Sequence, residues 1–170
     1  MAGIYFHIPF CKTRCPYCDF FSVVHLSERG KLVQALKKEL ALRKDYLQST
    51  SIETIYFGGG TPSLLGVNTL ASLLGSVYQN YSVRDHPEIT LECNPDDLDA
   101  GYIEELRSLY DFRINLGVQS FEDRELTFLG RRHGAEKARE VLQLLLDHNF
   151  SNVGLDLMYG FPISTKESWQ

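Results

Sequence analysis

Three of the chain's four cysteines fall in one short stretch, Cys11-Lys12-Thr13-Arg14-Cys15-Pro16-Tyr17-Cys18. Thiolates are both nucleophiles and metal ligands. At spacings of x3 and x2, three of them can face a single point. Three is one ligand short of a closed four-ligand site, and a metal group held that way keeps a position open to chemistry. His7 stands four residues before Cys11, so a structural zinc site of the Cys3His kind is the competing reading. Cys93, in Ile89-Thr90-Leu91-Glu92-Cys93, reads as a small buried hydrophobe on a strand. His7 reads as a rim residue. His25, His86, His133 and His148 read as surface or loop residues rather than ligands.

Other polar residues stand out by type and place. Gly58-Gly59-Gly60-Thr61-Pro62 offers backbone angles closed to other residues and lets a ligand approach the main chain. Its free N–H groups can bind a carboxylate or phosphate. No Gly-Lys-Ser/Thr follows and the G-x-G-x-x-G pattern is absent, so neither nucleotide fingerprint applies. A tight strand-to-helix turn is the plain alternative. Glu92 ends an apolar run, where it could accept hydrogen bonds from ribose hydroxyls or stand as a solvated strand-end charge. Asp156 lies between Leu155 and Leu157. Burying it unpartnered would be costly, so a ligand or a salt bridge is expected there.

These residues need a scaffold, and the hydrophobic pattern supplies one. Short β-rich runs are expected at Ile4–Ile8, Thr54–Phe57, Ile89–Cys93, Ile114–Val118 and Val153–Met158. Helical stripes alternate with them: Leu32, Leu36, Leu40 and Leu47 in a segment starting near Ser27; Leu70, Leu73, Leu74, Val77 and Tyr78; Ile103, Leu106 and Tyr110; and Ala138, Val141, Leu142 and Leu145. This alternation argues for βαβ units and a parallel α/β sheet. The cysteine stretch, the glycine run, Glu92 to Pro95, Gly117 to Ser120 and Asp156 to Pro162 all sit at or beyond the C-terminal ends of these strands. In a parallel β/α barrel those ends form one rim, where active sites are built. Ser164-Thr165-Lys166-Glu167 reads as a capping box with Ser164 as N-cap and Glu167 at N3. The helix it starts is cut short at Gln170, so the chain is expected to be the N-terminal part of a longer protein.

The chain has 170 residues, 44% of them hydrophobic, and a formal net charge of −5, which suits one soluble globular domain. The negative charge argues against general nucleic-acid binding, and Arg131-Arg132-His133 is too short to form a basic stripe. There is no signal-peptide pattern and no run of membrane-spanning length. Clustered thiols without an export signal point to metal or redox chemistry in the cytoplasm.

Cys11-x3-Cys15-x-Tyr17-Cys18 resembles the signature of radical S-adenosylmethionine (SAM) enzymes. His7-Ile8-Pro9-Phe10-Cys11, Tyr17-Cys18-Asp19-Phe20, Gly58 to Ser63, Leu116 to Phe121, Leu129 to His133 and Asp156 to Pro162 are similar to the branch holding oxygen-independent coproporphyrinogen III oxidase and the HemW heme chaperones. The resemblance implies a partial (β/α)6 barrel ending after about five strands, with residues 1–170 as the radical SAM core domain and the rest of the barrel and a C-terminal domain absent. It implies that Cys11, Cys15 and Cys18 hold three irons of a 4Fe–4S cluster whose fourth iron binds SAM. Gly59, Gly60 and Thr61 match the segment meeting the methionine moiety. Glu92, Gln119, Arg131 and Asp156 match further SAM contacts, and Tyr5 matches a tyrosine near the cluster and sulfonium. The implied chemistry is one-electron cleavage of SAM to a 5′-deoxyadenosyl radical, with the hard step carried by the cofactors and a low cluster potential set by thiolate ligation.

Phe20 stands where the oxidase branch carries a further cysteine. This favours the HemW-like reading: heme or a porphyrin as ligand, with heme-acceptor proteins and an electron donor as partners. His7 is then also open to a supporting role or a heme contact. The alternative is an oxidoreductase of porphyrin biosynthesis that decarboxylates coproporphyrinogen III to protoporphyrinogen IX. Structural zinc is the remote third reading.

Overall fold

In the computed structural model, which describes residues 2–48 and 50–169, five strands form one parallel sheet: β1 (Ala2–Ile8), β2 (Ile52–Gly59), β3 (Val83–Cys93), β4 (Arg113–Gln119) and β5 (Val153–Leu157). Spatial order equals chain order. The crossovers carry α1 (Arg29–Leu42), α2 (Val67–Asn80), α3 (Ala100–Leu109) and the pair α4 (Asp123–Phe128) and α5 (Ala135–Asp147), with α6 (Lys166–Trp169) after β5. Crossovers of one hand between sequential strands put every helix on the same face, so the sheet has one covered face and one open face. This is a partial β/α barrel, as expected.

The strand pattern shows why. Phe6 and Ile8, Ile55 and Phe57, Ile89 and Leu91, and Ile114, Leu116 and Val118 are all buried. At period 2 these residues share the helix-facing side, where Leu70, Leu73, Val77, Ile103, Leu106, Ala138, Val141 and Leu145 meet them. The alternate residues are polar or small: Tyr5 and His7, Tyr56 and Gly58, Thr90 and Glu92, Asn115 and Gly117. Register sets them side by side, with Tyr5 opposite Tyr56, Tyr56 opposite Thr90, and Glu92 opposite Asn115. The concave side is therefore built for ligand rather than for packing.

Two local expectations are corrected. The last helix is capped by Thr165, not Ser164: Thr165 Oγ1 accepts from Ser168 N at 3.1 Å, and Ser168 Oγ accepts from Thr165 N at 2.9 Å. Serine at N3 completes the reciprocal box in place of Glu167, while Ser164 donates to Phe161 O instead. Leu47 lies beyond the end of α1, yet it still packs on the core.

Candidate metal and cofactor site

The chain leaves β1 at Ile8 and makes a loop before α1. Its two ends are stitched together: Val23 N donates to Pro9 O at 2.7 Å and Cys11 N to Val23 O at 3.0 Å. Cys11, Cys15 and Cys18 lie on this closed loop, and Cys18 N donates to Cys15 O at 3.1 Å. All three line a cavity of about 190 Å³ at the C-terminal rim of the sheet. The same wall holds Gly59, Gly60, Thr61, Glu92, Gln119, Arg131 and Asp156. Tyr5 stands off it, on the concave face beside Tyr56, with its hydroxyl 3.3 Å from His7 Nδ1.

Each glycine of the run has its own reason. Glu92 Oε1 accepts from the Tyr56 hydroxyl at 2.7 Å and Oε2 from Gly59 N at 3.1 Å. A Cβ on Gly58 would lie 3.0 Å from Glu92 Oε1 and 2.7 Å from the Tyr56 ring, so its absence lets the carboxylate cross to Gly59. Gly59 has φ +110, and a Cβ there would meet the His7 ring at 2.7 Å. Gly60 donates to Ile8 O at 2.8 Å, and a Cβ on it would lie 2.8 Å from Phe10 O. The N–H groups of Gly59 and Gly60, expected free for a ligand, are thus taken by the protein itself. Burial and the Glu92 carboxylate both push the Tyr56 phenol upward in pKa, which keeps it a neutral donor to Glu92.

Two cysteine sulfurs already have donors. Thr61 Oγ1 lies 3.5 Å from Cys11 Sγ, and Arg131 Nη1 lies 3.8 Å from Cys15 Sγ and 3.3 Å from the Tyr17 hydroxyl. Arg131 Nη2 donates to Gly117 O at 2.6 Å, while its buried Nε has no partner. The Arg131 guanidinium is thus largely engaged by the protein, while its buried Nε is left free. Gln119 sits at φ +72, in the left-handed region, beside a bulge that skips Val118 in the pairing with β5. Period-2 alternation places Gly117 and Gln119 on the same side, and the Gln119 amide crowds the space a Cβ on Gly117 would take.

Asp156 is exposed, not buried, and is held by Asn115 Nδ2 at 2.8 Å from its Oδ2. It lies on the last strand of the sheet, where a single neighbour covers it. His133 departs from its surface assignment: it is 4% exposed. Its Nε2 lies 3.1 Å from Val118 O, which assigns the proton to Nε2. Burial first, and the nearby Arg131 second, lower its pKa. Cys93 is buried as expected, with its thiol pushed up by desolvation.

Sequence patterns do not mark Asn115 or Asp97, and Gly130 is marked only as part of the Leu129 to His133 stretch. Gly130 is at φ +66, and a Cβ on it would strike Pro16 Cδ at 2.7 Å, so the cysteine loop rests directly on it. Glycine after Leu129 was the available signal, but its partner lies far away in sequence. Among the described residues, no group of three or more His, Cys, Asp or Glu side chains converges as it stands on one metal ion. His7 is absent from the cavity wall, so the Cys3His set is not assembled.

Comparison with known proteins agrees with this geometry. The pattern of the Radical SAM superfamily matches residues 5–170. The heme chaperone HemW of Haemophilus influenzae is 38% identical over 97% of this chain and 45% of its own length. HemW of Escherichia coli is 37% identical over 97% of this chain and 44% of its own. The chain thus spans less than half the length of these relatives. The structure of coproporphyrinogen III oxidase (HemN) from Escherichia coli, described as a radical SAM enzyme, superposes with a TM-score of 0.88 at 26% identity, over 98% of this chain and 39% of that one. No helix among the described residues is long and apolar enough to cross a membrane.

Proposed function

Because the chain belongs to the radical SAM superfamily, we propose that Cys11, Cys15 and Cys18 hold a 4Fe–4S cluster with SAM beside it, in the core domain of a cytoplasmic HemW-type heme chaperone. The donor set suits such a group. Thiolates are the usual ligands of iron–sulfur clusters, and a cluster spreads its thiolates over separate irons, so the three sulfurs need not converge. The hydrogen bonds from Thr61 and Arg131 favour charged sulfur and tune a bound cluster. The spare buried Arg131 Nε is a donor that SAM's carboxylate would satisfy.

When bound, the cluster would supply the electron for reductive cleavage of SAM. The rest falls to the chain's own residues. Glu92, braced by Tyr56 and Gly59, retains lone pairs for ribose hydroxyls. Asp156, oriented by Asn115, offers a second acceptor. Gln119, held at its strained φ, presents an amide that can both donate and accept. Thr61 closes the cavity against Cys11. Tyr5 would act from one step behind this wall.

Beside the similarity to HemW heme chaperones, one residue supports the chaperone reading. Phe20 is 64% exposed and lines the cavity beside the three cysteines, at the position where the oxidase branch places a fourth thiol. Without that thiol, the reading is heme binding and transfer to acceptor proteins, with an electron donor for the cluster. The close superposition on HemN keeps decarboxylation of coproporphyrinogen III as the second reading. The full-length protein, reduced and supplied with SAM, tests both. Stoichiometric heme binding without a vinyl product is expected; conversion of coproporphyrinogen III to vinyl product would overturn the chaperone reading. Reconstitution should yield iron and acid-labile sulfide together, and zinc without sulfide would sink the cluster itself.

A further inference from the structure

One carboxylate outside the proposed ligand set joins four segments of the rim. Asp97 follows β3 in a short 3-10 turn, and its side chain is 3% exposed. Its Oδ1 pairs with Lys12 Nζ at 2.6 Å, and Lys12 is the residue after Cys11 in the cysteine loop. Its Oδ2 accepts from Ser63 Oγ at 3.2 Å, in the turn that follows the glycine run. Arg132, next to Arg131, lies 3.7 Å from Asp97 Oδ1 and 3.0 Å from Asp96 Oδ2. A buried carboxylate with cations on two sides is electrostatically well held, and here both cations adjoin residues of the proposed site.

We propose that Asp97 is a positioning residue: through Lys12 it holds the cysteine loop closed on the rim, so that Cys11 is set for the cluster before the cluster arrives. A loop with few buried apolar contacts opens easily. Within the loop, residues 11–18 are half-buried or exposed throughout. Its ties are the Pro9–Val23 stitch, the Arg131 contacts, Thr61 against Cys11, Pro16 against Gly130 and this ion pair. Outer-shell partners that orient ligands commonly change metal affinity by about 10–100-fold when removed. The inference rests on the cluster reading of the cysteines.

Lys12→Gln is the informative variant. The Lys12 side chain is 40% exposed and Arg132 still faces Asp97 without it, so Lys12→Gln perturbs the fold less than Asp97→Asn, and hydrogen exchange outside residues 11–18 checks that the rest of the fold is unchanged. Two measurements on the full-length protein separate the possibilities. Iron release from the reconstituted protein to a chelator should be about tenfold faster in Lys12→Gln, and Lys12→Arg should restore the wild-type rate. In the apo protein, hydrogen exchange over residues 11–18 should quicken in Lys12→Gln and in Asp97→Asn, and no further in the double variant. Wild-type release and wild-type exchange in Lys12→Gln would overturn the proposal. A wild-type protein that takes up no iron and sulfide would instead overturn the cluster reading, and apo exchange would still decide whether Asp97 holds the loop.

Discussion

At the scale of single residues, the site depends on atoms that are missing as much as on those present. Gly58 leaves the path by which Glu92 reaches Gly59, and Gly60 lets β2 end against Ile8 and Phe10. The contacts a Cβ on Gly60 would make are to backbone atoms, which cannot rotate away. Gly60→Ala should therefore cost about 1–3 kcal/mol through overpacking, read as a lowered urea midpoint, and should weaken SAM binding in equilibrium dialysis. His133 carries a pH dependence. Its folded pKa lies below the ordinary value because the buried ring resists charge. The unfolded state therefore binds the proton first as pH falls. The stability tied to His133 is complete above about pH 6.5 and is lost as pH drops from there toward the lowered folded value. Urea midpoints should fall on acidification through that window, and His133→Gln should flatten that part of the profile.

At the scale of elements, β4 shows how a strand aims a functional side chain. Regular alternation brings Gln119 to the concave side with Gly117, and the bulge beside it and its positive φ set how its amide lies against Gly117. Strain of this kind persists only where the surroundings hold it. Here Met158 N donates to Gln119 O at 2.9 Å, and Ser120 Oγ donates to buried Glu125 at 2.5 Å. No period-2 pattern contains that information. The helices are simpler: most of each expected stripe meets the sheet, although Tyr78 is exposed and Leu47 and Tyr110 lie past the ends of α1 and α3. Gly75 lies on the exposed side of α2, and a Cβ there would meet nothing within 4 Å. Gly75→Ala should raise stability by about 0.5–1 kcal/mol, measured by urea denaturation, with SAM binding unchanged.

At the scale of the whole molecule, the sheet has two unpaired edges among the described residues, β1 and β5. Beside β5, Leu146, Leu157, Tyr159 and Trp169 are exposed around a groove. Unpaired strand edges and exposed apolar side chains favour association. The 170-residue chain made alone should self-associate with rising concentration in light scattering. Leu157→Lys, which adds charge at the edge, should reduce that association; a strictly monomeric wild-type chain would contradict this expectation.

The sequence by itself determined the alternation of five strands and their helices, the apolar covered face and the convergence of the polar residues on one rim. Those follow from local periodicity and from the one-handed geometry of parallel crossovers. The cysteine loop, the glycine run, Glu92, the Gly117 to Ser120 strand end and Asp156 could be nominated because their types and strand-end positions are local properties, whereas Arg131 and the role of Gln119 came only with the family resemblance. Only the tertiary structure decided what each one touches. It showed that Gly59 and Gly60 spend their N–H groups on Glu92 and Ile8, that Arg131 reaches Cys15, that His133 is buried and Asp156 exposed, and that Lys12 meets Asp97. Those pairings join residues far apart in the chain, and no local pattern encodes a distance that exists only after the sheet has curled.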